Sequence, residues 1–402
     1  MVKVAVLGYG TVGSGVVEVI ETNKAVIEQR IGDKLEIKYV LDLRDFPGDP
    51  IQEKVVHDYE VIVGDPEINI VVEVMGGVEP AYTFVKKALL AGRSVATSNK
   101  ALVAKHGAEL LKIAKEQNCN FFFEASVGGG IPIIRPINTS LTADVLEEIT
   151  GILNGTTNYI LSKMANEGLD FEEVLKDAQE KGFAERNPEA DVEGHDAGRK
   201  IAILSSLALG RQVDFEDVYM EGITKITAED FAYAKKLNRA IKLLATSRMT
   251  DGKVYAMVAP FLIPEEHPLY SVNNVFNAVF VRGNMLGDAM FYGSGAGKLP
   301  TASAVVGDVV EAARKLGQNE SVAWDAKKQE LSDIKTASRQ FLVRFAEAEC
   351  SREKAEQTFG KGEFVEAGIS GEFGFVTPEM SEADYEAKAE SLSGIKHRIR
   401  LG

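Results

Sequence analysis

The chain opens on VKVAVLGYGTVG, residues 2 to 13, and this stretch decides the fold. Val2–Leu7 are nearly all apolar, as expected of a strand that is buried on both faces of a parallel sheet. Gly8, Gly10 and Gly13 follow with the spacing G-x-G-x-x-G, and a helical pattern begins at Ser14. Between a strand and a helix, these glycines allow a tight turn, the approach of a pyrophosphate and close helix packing. The stretch predicts a dinucleotide site, and the alternative is a glycine-rich turn without a ligand.

The end of the second strand, about Glu36–Leu41, bears on which dinucleotide binds. This position meets the adenosine ribose, where an acidic residue favours NAD and an arginine favours NADP. Asp42 and Arg44 both stand there. Arg44 could pair with a 2′-phosphate through two hydrogen bonds, whereas Asp42 would repel it. The sequence leaves NAD and NADP open, and an ordinary solvated loop pair is a further alternative.

Alternating apolar runs and helical stretches over the first part of the chain predict a doubly wound, Rossmann-type α/β domain. Its later strands are predicted at Glu60–Val63, Ile68–Val74, Arg93–Thr97 and Asn120–Glu124. From about Asp144 the pattern changes to an α+β domain with a second sheet, and the last 70 or so residues follow a βαββαβ, ferredoxin-like order. The predicted domains are a dinucleotide-binding domain at 1–140 with a return helix at 297–317, a substrate-binding and dimerisation domain at 141–296, a polar linker at 318–334 and a C-terminal domain at 335–402.

Composition narrows the class of protein. A net charge of -15 and a pI near 5.0 disfavour nucleic acid and anionic membranes as partners. Cys119 and Cys350 are far apart and lack metal-ligand spacing, so a disulfide framework and a zinc site are not expected. The first strand begins at Val2 without a signal peptide, and apolar runs long enough to span a bilayer are missing from the sequence. We therefore expect a cytoplasmic enzyme that acts on a small molecule.

The stretch from Gly182 to Lys200 is the second informative one. It carries five acidic residues, namely Glu185, Glu189, Asp191, Glu193 and Asp196, and it precedes an almost wholly apolar helix. On a helix Asp196 and Lys200 are i,i+4 neighbours, and Lys200 points the same way as the leucines that follow. Carboxylates in front of a buried helix are suited to hold an amine, with a lysine beside it to move a proton. The alternative is an ordinary surface ion pair.

Two strand ends carry further candidates. Lys100 stands at the C-terminal edge of the first predicted sheet, where such sheets bind ligands, although a surface lysine capping a loop is as good an interpretation. Glu124 ends an aromatic strand and is followed by a triple glycine, Gly128–Gly130. Such a loop could surround a hard cation with oxygens, or could be a hinge, or both. A second glycine-rich turn, Gly293–Gly297, could present N–H groups to an anion.

Six motifs in one order resemble the homoserine dehydrogenase family over about residues 1–320. They are Gly8–Gly13, Thr97–Leu102, Glu124–Pro132, Gly151–Ile160, Gly182–Lys200 and Gly295–Ala302. The tail resembles an ACT-type regulatory domain in its element order. The resemblance implies reversible reduction of L-aspartate 4-semialdehyde to L-homoserine by NAD(P)H, in threonine and methionine biosynthesis.

The resemblance also implies roles for single residues. Lys200 would be the acid/base residue, with Lys100 near the same oxygen, and Glu185, Asp191 and Asp196 would hold the amino-acid end of the substrate. A monovalent cation, usually sodium, would be bound by the Glu124 side chain and by carbonyls of Val127, Gly129 and Ile131. The implied cofactor residues are Gly8, Gly10, Thr11, Val12, Gly13, Arg44, Lys100, Gly182 and Gly297.

Simple physical chemistry agrees with a site that holds two lysines. A lysine has an ordinary pKa near 10.4, too high for ready proton transfer at neutral pH. Two ammonium groups converging on one oxygen would each lower the pKa of the other, and burial would lower both. We therefore expect Lys100 and Lys200 to meet over a single carbonyl oxygen.

Other interpretations and partners stay open at this point. Another amino-acid dehydrogenase of the same fold is one alternative, and a non-catalytic dinucleotide-sensing regulator is another. The regulator would leave the Gly182–Lys200 stretch unexplained. Exposed strands of the second sheet predict a homodimer or a tetramer. The tail predicts either feedback by an amino acid such as threonine or a module that stabilises a dimer.

Overall fold

The computed structural model describes residues 1–320 and 324–402. The chain forms two compact units, each built from separate stretches of sequence. The first unit comprises Met1–Val145, Ala202–Phe215 and Phe291–Gln329, and the second comprises Leu146–Ile201, Glu216–Met290 and Glu330–Gly402. The predicted C-terminal domain at 335–402 lies in the second unit, together with most of the predicted substrate domain.

Strands and helices alternate along most of the chain. The strands are β1 (Val2–Leu7), β2 (Leu35–Leu41), β3 (Val55–Val56), β4 (Ile70–Glu73), β5 (Ser94–Thr97), β6 (Phe121–Phe122), β7 (Leu146–Ile152), β8 (Arg211–Gln212), β9 (Tyr219–Met220), β10 (Arg239–Thr250), β11 (Lys253–Pro264), β12 (Phe276–Gly283), β13 (Gly287–Ser294), β14 (Asp325–Lys328), β15 (Ser338–Arg339), β16 (Phe341–Ala346), β17 (Glu363–Val365), β18 (Glu372–Val376), β19 (Met380–Ser381) and β20 (Ile395–Leu401). The α-helices are α1 (Thr11–Thr22), α2 (Lys24–Ile31), α3 (Tyr59–Val63), α4 (Ala81–Leu90), α5 (Lys100–Glu116), α6 (Ala125–Gly128), α7 (Ile134–Thr139), α8 (Gly155–Glu167), α9 (Phe171–Glu180), α10 (Glu189–Val192), α11 (His195–Leu209), α12 (Ala228–Lys236), α13 (Lys298–Arg314), α14 (Arg352–Phe359) and α15 (Glu382–Ala389). Short 3₁₀ turns lie at Pro50–Lys54, Phe215–Asp217 and Ile334–Thr336.

The first unit contains a parallel sheet of order β3-β2-β1-β4-β5-β6. This is the strand order of a doubly wound dinucleotide-binding domain, so the predicted fold class is confirmed. The order reverses between β1 and β4, and ligands of such sheets bind at the carboxyl ends of the strands beside that point. The residues that follow β1 and β4 are therefore placed at the expected ligand crevice.

Helix packing explains the apolar pattern of this unit. Val4, Val6 and Val72 are buried in a core that also takes in Val305 and Val309 of α13. Helix α13, Lys298–Arg314, lies within the stretch 297–317 and packs on the first sheet.

One predicted strand of this unit is wrong. The sequence pattern predicts a strand at Glu60–Val63, but Tyr59–Val63 is the helix α3. The carboxylate of Asp58 accepts a hydrogen bond from the Glu60 N–H at 2.9 Å and caps the helix, and Gly64 follows its last turn. A run as short as Glu60–Val63 has too few residues for its pattern to distinguish a strand from a helical turn. The capping hydrogen bond decides between them.

The second unit contains a long mixed sheet. Its strand order is β13-β12-β7-β10-β11-β20-β16-β18-β17, and β9 pairs with β11 outside this path. Within the tail, the four main strands have the order fourth, first, third, second, and every pairing among them is antiparallel. This is the arrangement of a ferredoxin-like sandwich, and it confirms the predicted βαββαβ order. The parallel pairing of β11 with β20 makes the tail part of the larger sheet.

The predicted linker at 318–334 is more structured than its polar sequence suggests. Residues 321–323 of this stretch lie outside the described residues. Trp324 is buried, and its indole N–H donates to the side-chain oxygen of Gln212 at 2.9 Å. The Trp324 ring passes so close to Gly107 of α5 that a Cβ on this glycine would come within 2.4 Å of the ring. Among the described residues, we find no helix that is long and apolar enough to cross a membrane.

Gly13 offers a test of the turn that joins β1 to α1. A Cβ on Gly13 would lie 1.9 Å from the carbonyl oxygen of Gly8, whereas a Cβ on Gly10 would meet nothing within 4 Å. We expect Gly13→Ala to destabilise the protein by about 3 kcal/mol, because overpacking against a main chain cannot relax through rotamers. Gly10→Ala is the matched control, and its stability should be close to that of the unsubstituted protein, while its methyl group obstructs a bound pyrophosphate. Denaturant unfolding and nucleotide binding, measured on both variants, check this; equal stability of the two would contradict it.

Candidate active site

The glycine-rich turn after β1 is shaped to receive a nucleotide. Gly8 adopts a φ of 98°, a value that favours glycine, and places the turn directly at the end of β1. Gly10 is the N-cap residue of α1 and has open space where a side chain would stand. The first N–H groups of α1, those of Thr11, Val12 and Gly13, form the positive end of a helix, which is suited to an anionic pyrophosphate. The turn therefore fits a dinucleotide phosphate.

The side chains of Asp42 and Arg44 form an ion pair with each other. The Arg44 guanidinium donates to both carboxylate oxygens of Asp42 at 3.0 Å, and the main-chain N–H of Tyr9 donates to the same carboxylate at 2.9 Å. The Arg44 hydrogen bonds hold the pKa of Asp42 well below its usual range, although burial acts in the opposite direction. Asp42 thus fixes the glycine-rich turn and holds Arg44, whose side chain is 63% exposed.

A buried carboxylate supports the start of α5. Glu73, at the end of β4, is fully buried and accepts hydrogen bonds from the Thr97 hydroxyl at 2.6 Å and from the Met75 N–H at 2.8 Å. Burial raises the pKa of Glu73, and those two hydrogen bonds act against the rise. Asn99 caps α5 by accepting from the Leu102 N–H, and its amide donates to the Gly77 carbonyl at 2.6 Å. These bonds fix the turn from which Lys100 projects at the edge of the sheet.

The two glycine-rich stretches singled out in the first unit pack against each other. Gly129 adopts a φ of 57°, and a Cβ there would come within 2.3 Å of the Gly295 carbonyl oxygen. The Gly130 N–H donates to the Ser294 carbonyl at 3.0 Å, and a Cβ on Gly130 would lie 2.8 Å from Pro300. The glycines allow two main chains to approach more closely than side chains would permit. Gly297, at the N-cap of α13, belongs to the same contact region.

The carboxylate of Glu124 has a partner set that the sequence did not predict. It accepts hydrogen bonds from the N–H groups of Ile133, Ile134 and Arg135 at 2.6 to 2.8 Å, at the start of α7. Its own main-chain N–H donates to Asp308, a buried residue that also pairs with Arg135. Burial raises the pKa of Asp308 to about 8 despite the nearby Arg135 charge. The Glu124 side chain therefore anchors a helix, and its part as a cation ligand beside the carbonyls of Val127, Gly129 and Ile131 stays a prediction.

In the second unit, four polar side chains meet where β7 ends. The Asn154 amide donates to the Asp191 carboxylate at 2.7 Å and to the Asp196 carboxylate at 3.0 Å. The Lys200 Nζ lies 2.8 Å from the same Asp196 carboxylate oxygen that accepts from the Asn154 amide. The same ammonium donates to the Leu153 carbonyl at 2.7 Å. We name Asn154, Asp191, Asp196 and Lys200 the amide–carboxylate cluster.

Three of the four members of this cluster are buried, which is unusual for polar groups, and Asp191 is half-buried. The exposed fractions are 6% for Asn154, 4% for Asp196 and 8% for Lys200. The prediction that Lys200 faces the way of the core leucines is confirmed, because Leu204 is fully buried on the same helix. Within α11 the spacing of four residues brings Asp196 and Lys200 together, as expected for i,i+4 neighbours. A surface ion pair, the alternative considered from sequence, does not describe this pair.

Three other predicted site residues, Gly182, Glu185 and Lys100, are not members of the cluster. Gly182 and Glu185 are exposed on the loop between α9 and α10, and the main-chain carbonyl of Glu185 accepts from the Gln179 amide at 3.1 Å. Lys100 belongs to the first unit and Lys200 to the second. Their convergence on one oxygen, and the substrate role of Glu185, stay predictions.

Asn154 is the site residue that sequence reasoning missed. The sequence pattern predicts only a helix start there, and Asn154 does cap α8 by accepting from the Thr157 N–H at 2.9 Å. The side chain performs both tasks, since its oxygen caps the helix while its amide binds two carboxylates. The sequence signal that could have indicated Asn154 is its position inside the motif Gly151–Ile160, directly after a strand.

Comparisons with known proteins agree with this geometry. A model described as "Homoserine dehydrogenase, NAD binding domain" matches residues 8–124, and one described as "Homoserine dehydrogenase" matches residues 132–310. A homoserine dehydrogenase of Bacillus subtilis is 39% identical over 98% of this chain and 95% of its own length. The chain belongs to the homoserine dehydrogenase family. It is therefore an NAD(P)-dependent oxidoreductase that acts on a CH–OH group.

Solved structures of homoserine dehydrogenases extend the likeness to the whole chain. One from Thiobacillus denitrificans superposes with a TM-score of 0.91 at 33% identity, covering 100% of this chain and 98% of that one. A hyperthermophilic archaeal homoserine dehydrogenase, solved in complex with NADPH, superposes with a TM-score of 0.66 at 30% identity and covers 77% of this chain and 97% of its own. The predicted family, fold class and nucleotide-binding domain are thus confirmed.

Proposed function

We propose that this enzyme catalyses the reversible reduction of L-aspartate 4-semialdehyde to L-homoserine, with the amide–carboxylate cluster as the substrate end of its active site. The observation that carries the proposal is a buried lysine held between a carboxylate and a carbonyl, next to a second carboxylate. An amino-acid substrate brings an ammonium group that carboxylates can hold and an oxygen that needs a proton donor. Asp191 and Asp196 supply the carboxylates for the ammonium group, and Lys200 is the proton donor for the oxygen.

Proton transfer is the step that Lys200 would perform. The nicotinamide, when bound, supplies a hydride to the aldehyde carbon, which leaves negative charge on the aldehyde oxygen. The Lys200 ammonium donates its proton to that oxygen, and in the oxidation direction the neutral amine accepts the proton of the alcohol. Asp196 at 2.8 Å and the Leu153 carbonyl at 2.7 Å fix the direction in which Nζ points. A pre-positioned donor needs little reorganisation as charge develops.

Removing the ammonium group tests this role. We expect Lys200→Ala to lower kcat with homoserine about 10²–10⁴-fold, the usual cost of losing a proton-transfer group. Nucleotide binding, followed by fluorescence titration, should be retained, because the glycine-rich turn is unchanged. Lys163→Ala is a matched control, since Lys163 is also an ion-paired lysine on a helix of the same unit, 2.8 Å from Asp177. A kcat within a few fold of normal in Lys200→Ala would remove Lys200 from the mechanism.

We also propose that Arg44 binds an adenosine 2′-phosphate, so that the enzyme uses NADP. Support comes from the exposed guanidinium and from Asp42, whose carboxylate is already bound by Arg44 and by Tyr9. With its charge paired, Asp42 repels a phosphate less than an unpaired carboxylate would. NAD is the alternative cofactor, for which Asp42 would accept from a ribose hydroxyl.

Comparison of the two nucleotides tests the role of Arg44. We expect Arg44→Ala to raise KM for NADPH roughly 10–100-fold, as for loss of a hydrogen bond to a charged group, with KM for NADH changed less than threefold. Initial rates at 340 nm with both nucleotides give these values. Equal effects on NADPH and NADH would contradict 2′-phosphate binding, and Arg30→Ala, an exposed arginine at the end of α2, controls for the loss of surface charge.

We also propose that the loop after Glu124 binds a monovalent cation such as sodium. Hard cations take carbonyl oxygens, and Val127, Gly129 and Ile131 supply such oxygens on one tight loop. Its positive-φ glycine and close approach to Gly295 keep the loop in one shape. The Glu124 carboxylate would support the cation by holding the following helix, as well as by its charge.

We propose a homodimer, with a tetramer as the alternative, and an amino-acid effector such as threonine at the ACT-like tail. The outer strand β13 and its hairpin carry exposed apolar side chains, including Met285 at 84% and Met290 at 41% exposure, which favours burial against another subunit. The ferredoxin-like order of the tail supports a regulatory module, since this is the element order of ACT-type domains. A cytoplasmic location follows from the proposed biosynthetic role.

A further inference from the structure

A buried ion cluster ties the tail to the short strand β9. Arg400 on β20 has no exposed surface, and its guanidinium pairs with both carboxylate oxygens of Glu382 at 2.7 Å. Its remaining edge donates to Glu221, the residue after β9, also at 2.7 Å. Arg398 adds a contact of 3.3 Å to the same Glu221 oxygen. Glu221 is therefore held by two arginines of the tail.

The charge state of Glu221 suits this contact. Burial acts to raise the pKa of Glu221, but the charges of Arg400 and Arg398 hold it below its usual range. An ionised carboxylate bound to the buried Arg400 is costly to release, since removing one partner leaves the other charge uncompensated. The position of Glu221 is thus strongly fixed as long as the tail is folded.

The residues directly after Glu221 support the main chain of α10. The Ile223 N–H donates to the Val192 carbonyl at 2.8 Å. Gly222 lies so close that a Cβ would come within 2.3 Å of the same carbonyl oxygen and 2.6 Å of the Glu193 Cα. The Thr224 hydroxyl donates to the Glu193 carboxylate at 3.0 Å. The segment 221–224 and the end of α10 therefore share one rigid contact.

The end of α10 carries one half of the amide–carboxylate cluster. Asp191 precedes Val192, and Asn154 holds its carboxylate at 2.7 Å. Asp196 follows four residues after Val192, at the start of α11. A shift of Val192 would displace the Asp191 side chain and the chain that leads into Asp196. Three successive contacts thus join the ion cluster to the carboxylates of the amide–carboxylate cluster. They are Arg400 with Glu221, Ile223 with Val192, and Asp191 with Asn154.

We propose that Glu221 is a positioning residue for the substrate site, which acts through Gly222, Ile223 and Val192 on the carboxylates of Asp191 and Asp196. The proposal rests on the proposed function of the amide–carboxylate cluster. It gives the tail a direct task in catalysis, because Arg400 and Arg398 hold Glu221 in place. It also places the tail at one end of a continuous set of contacts that ends at the substrate.

A buried ion cluster could instead serve stability alone, and kinetics separate the two roles. We expect Glu221→Gln to raise KM for homoserine about 2- to 30-fold, the range seen when residues along a coupled network are changed. The KM for the nucleotide should stay within about twofold, because the glycine-rich turn is unchanged, and kcat at saturating homoserine should change less than KM, because the Leu153 carbonyl still holds Lys200. Initial rates on the full-length enzyme, at a temperature where each variant is folded, give all three values.

Two control variants keep the test decisive. Ile399→Val, on the same strand as Arg400, trims a buried side chain without touching an ion pair and should lower stability with KM unchanged. Glu386→Gln breaks an exposed ion pair between α15 and Lys335 and should change neither property measurably. A rise in KM that appears equally in Ile399→Val would show a general stability effect and overturn the proposal.

Hydrogen exchange supplies a readout that does not depend on turnover. In Glu221→Gln we expect faster amide exchange over residues 189–196, with exchange over β16 and β18 unchanged. If the unsubstituted enzyme does not oxidise homoserine, the proposed function fails, whatever the exchange shows. If it does, and Glu221→Gln has normal KM and normal exchange over 189–196, the positioning role alone is wrong.

Discussion

The amide group of Asn154 is the contact on which the proposed substrate side of this enzyme depends. Its NH2 group binds two carboxylates of like charge, the half-buried Asp191 and the buried Asp196. Such a pair is unfavourable unless donors satisfy it, and the Asn154 amide and the Lys200 ammonium are those donors. Because the Asn154 oxygen caps α8, the same side chain also fixes where the pair stands. Hydrogen bonds within a buried network restrain its side chains, which suits the proposed role of holding an amine and a reacting oxygen.

The nucleotide side reaches a similar rigidity by a different route. There the main chain itself does the positioning, and glycines let its segments approach. Gly13 lies against the Gly8 carbonyl, and Gly129 lies against the Gly295 carbonyl, at distances that no side chain would permit. Carboxylates then hold the turns through hydrogen bonds. Asp42 accepts from the Tyr9 N–H, and Glu124 accepts from three N–H groups at the start of α7. The substrate side uses side-chain donors, and the nucleotide side uses close packing of turns.

The sequence predicts those features that depend on local pattern. The glycine spacing after Val2–Leu7 predicts the first sheet and its ligand crevice, and the spacing of Asp196 and Lys200 predicts their contact on α11. The βαββαβ order of the tail is also local, and it is confirmed. What the sequence cannot predict are pairings between distant segments. The contact of Asn154 with Asp191, the partners of Glu124, and the pairing of β20 with β11 all join residues whose proximity only the folded chain decides. The helix at Tyr59–Val63 was missed because its cap, and not its apolar pattern, decides its type.

The most direct test of the account is the effect of Asn154→Ala on kcat/KM for homoserine. Asn158→Ala is its matched control, because Asn158 is a buried asparagine of the same helix whose amide donates to the Phe276 carbonyl at 3.0 Å and not to the carboxylates. The account predicts that Asn154→Ala lowers kcat/KM roughly 10–100-fold, as for loss of hydrogen bonds to charged groups, with nucleotide affinity unchanged. Asn158→Ala should lower stability but leave kcat/KM within about threefold. A normal kcat/KM in folded Asn154→Ala would contradict the claim that this amide organises the substrate site.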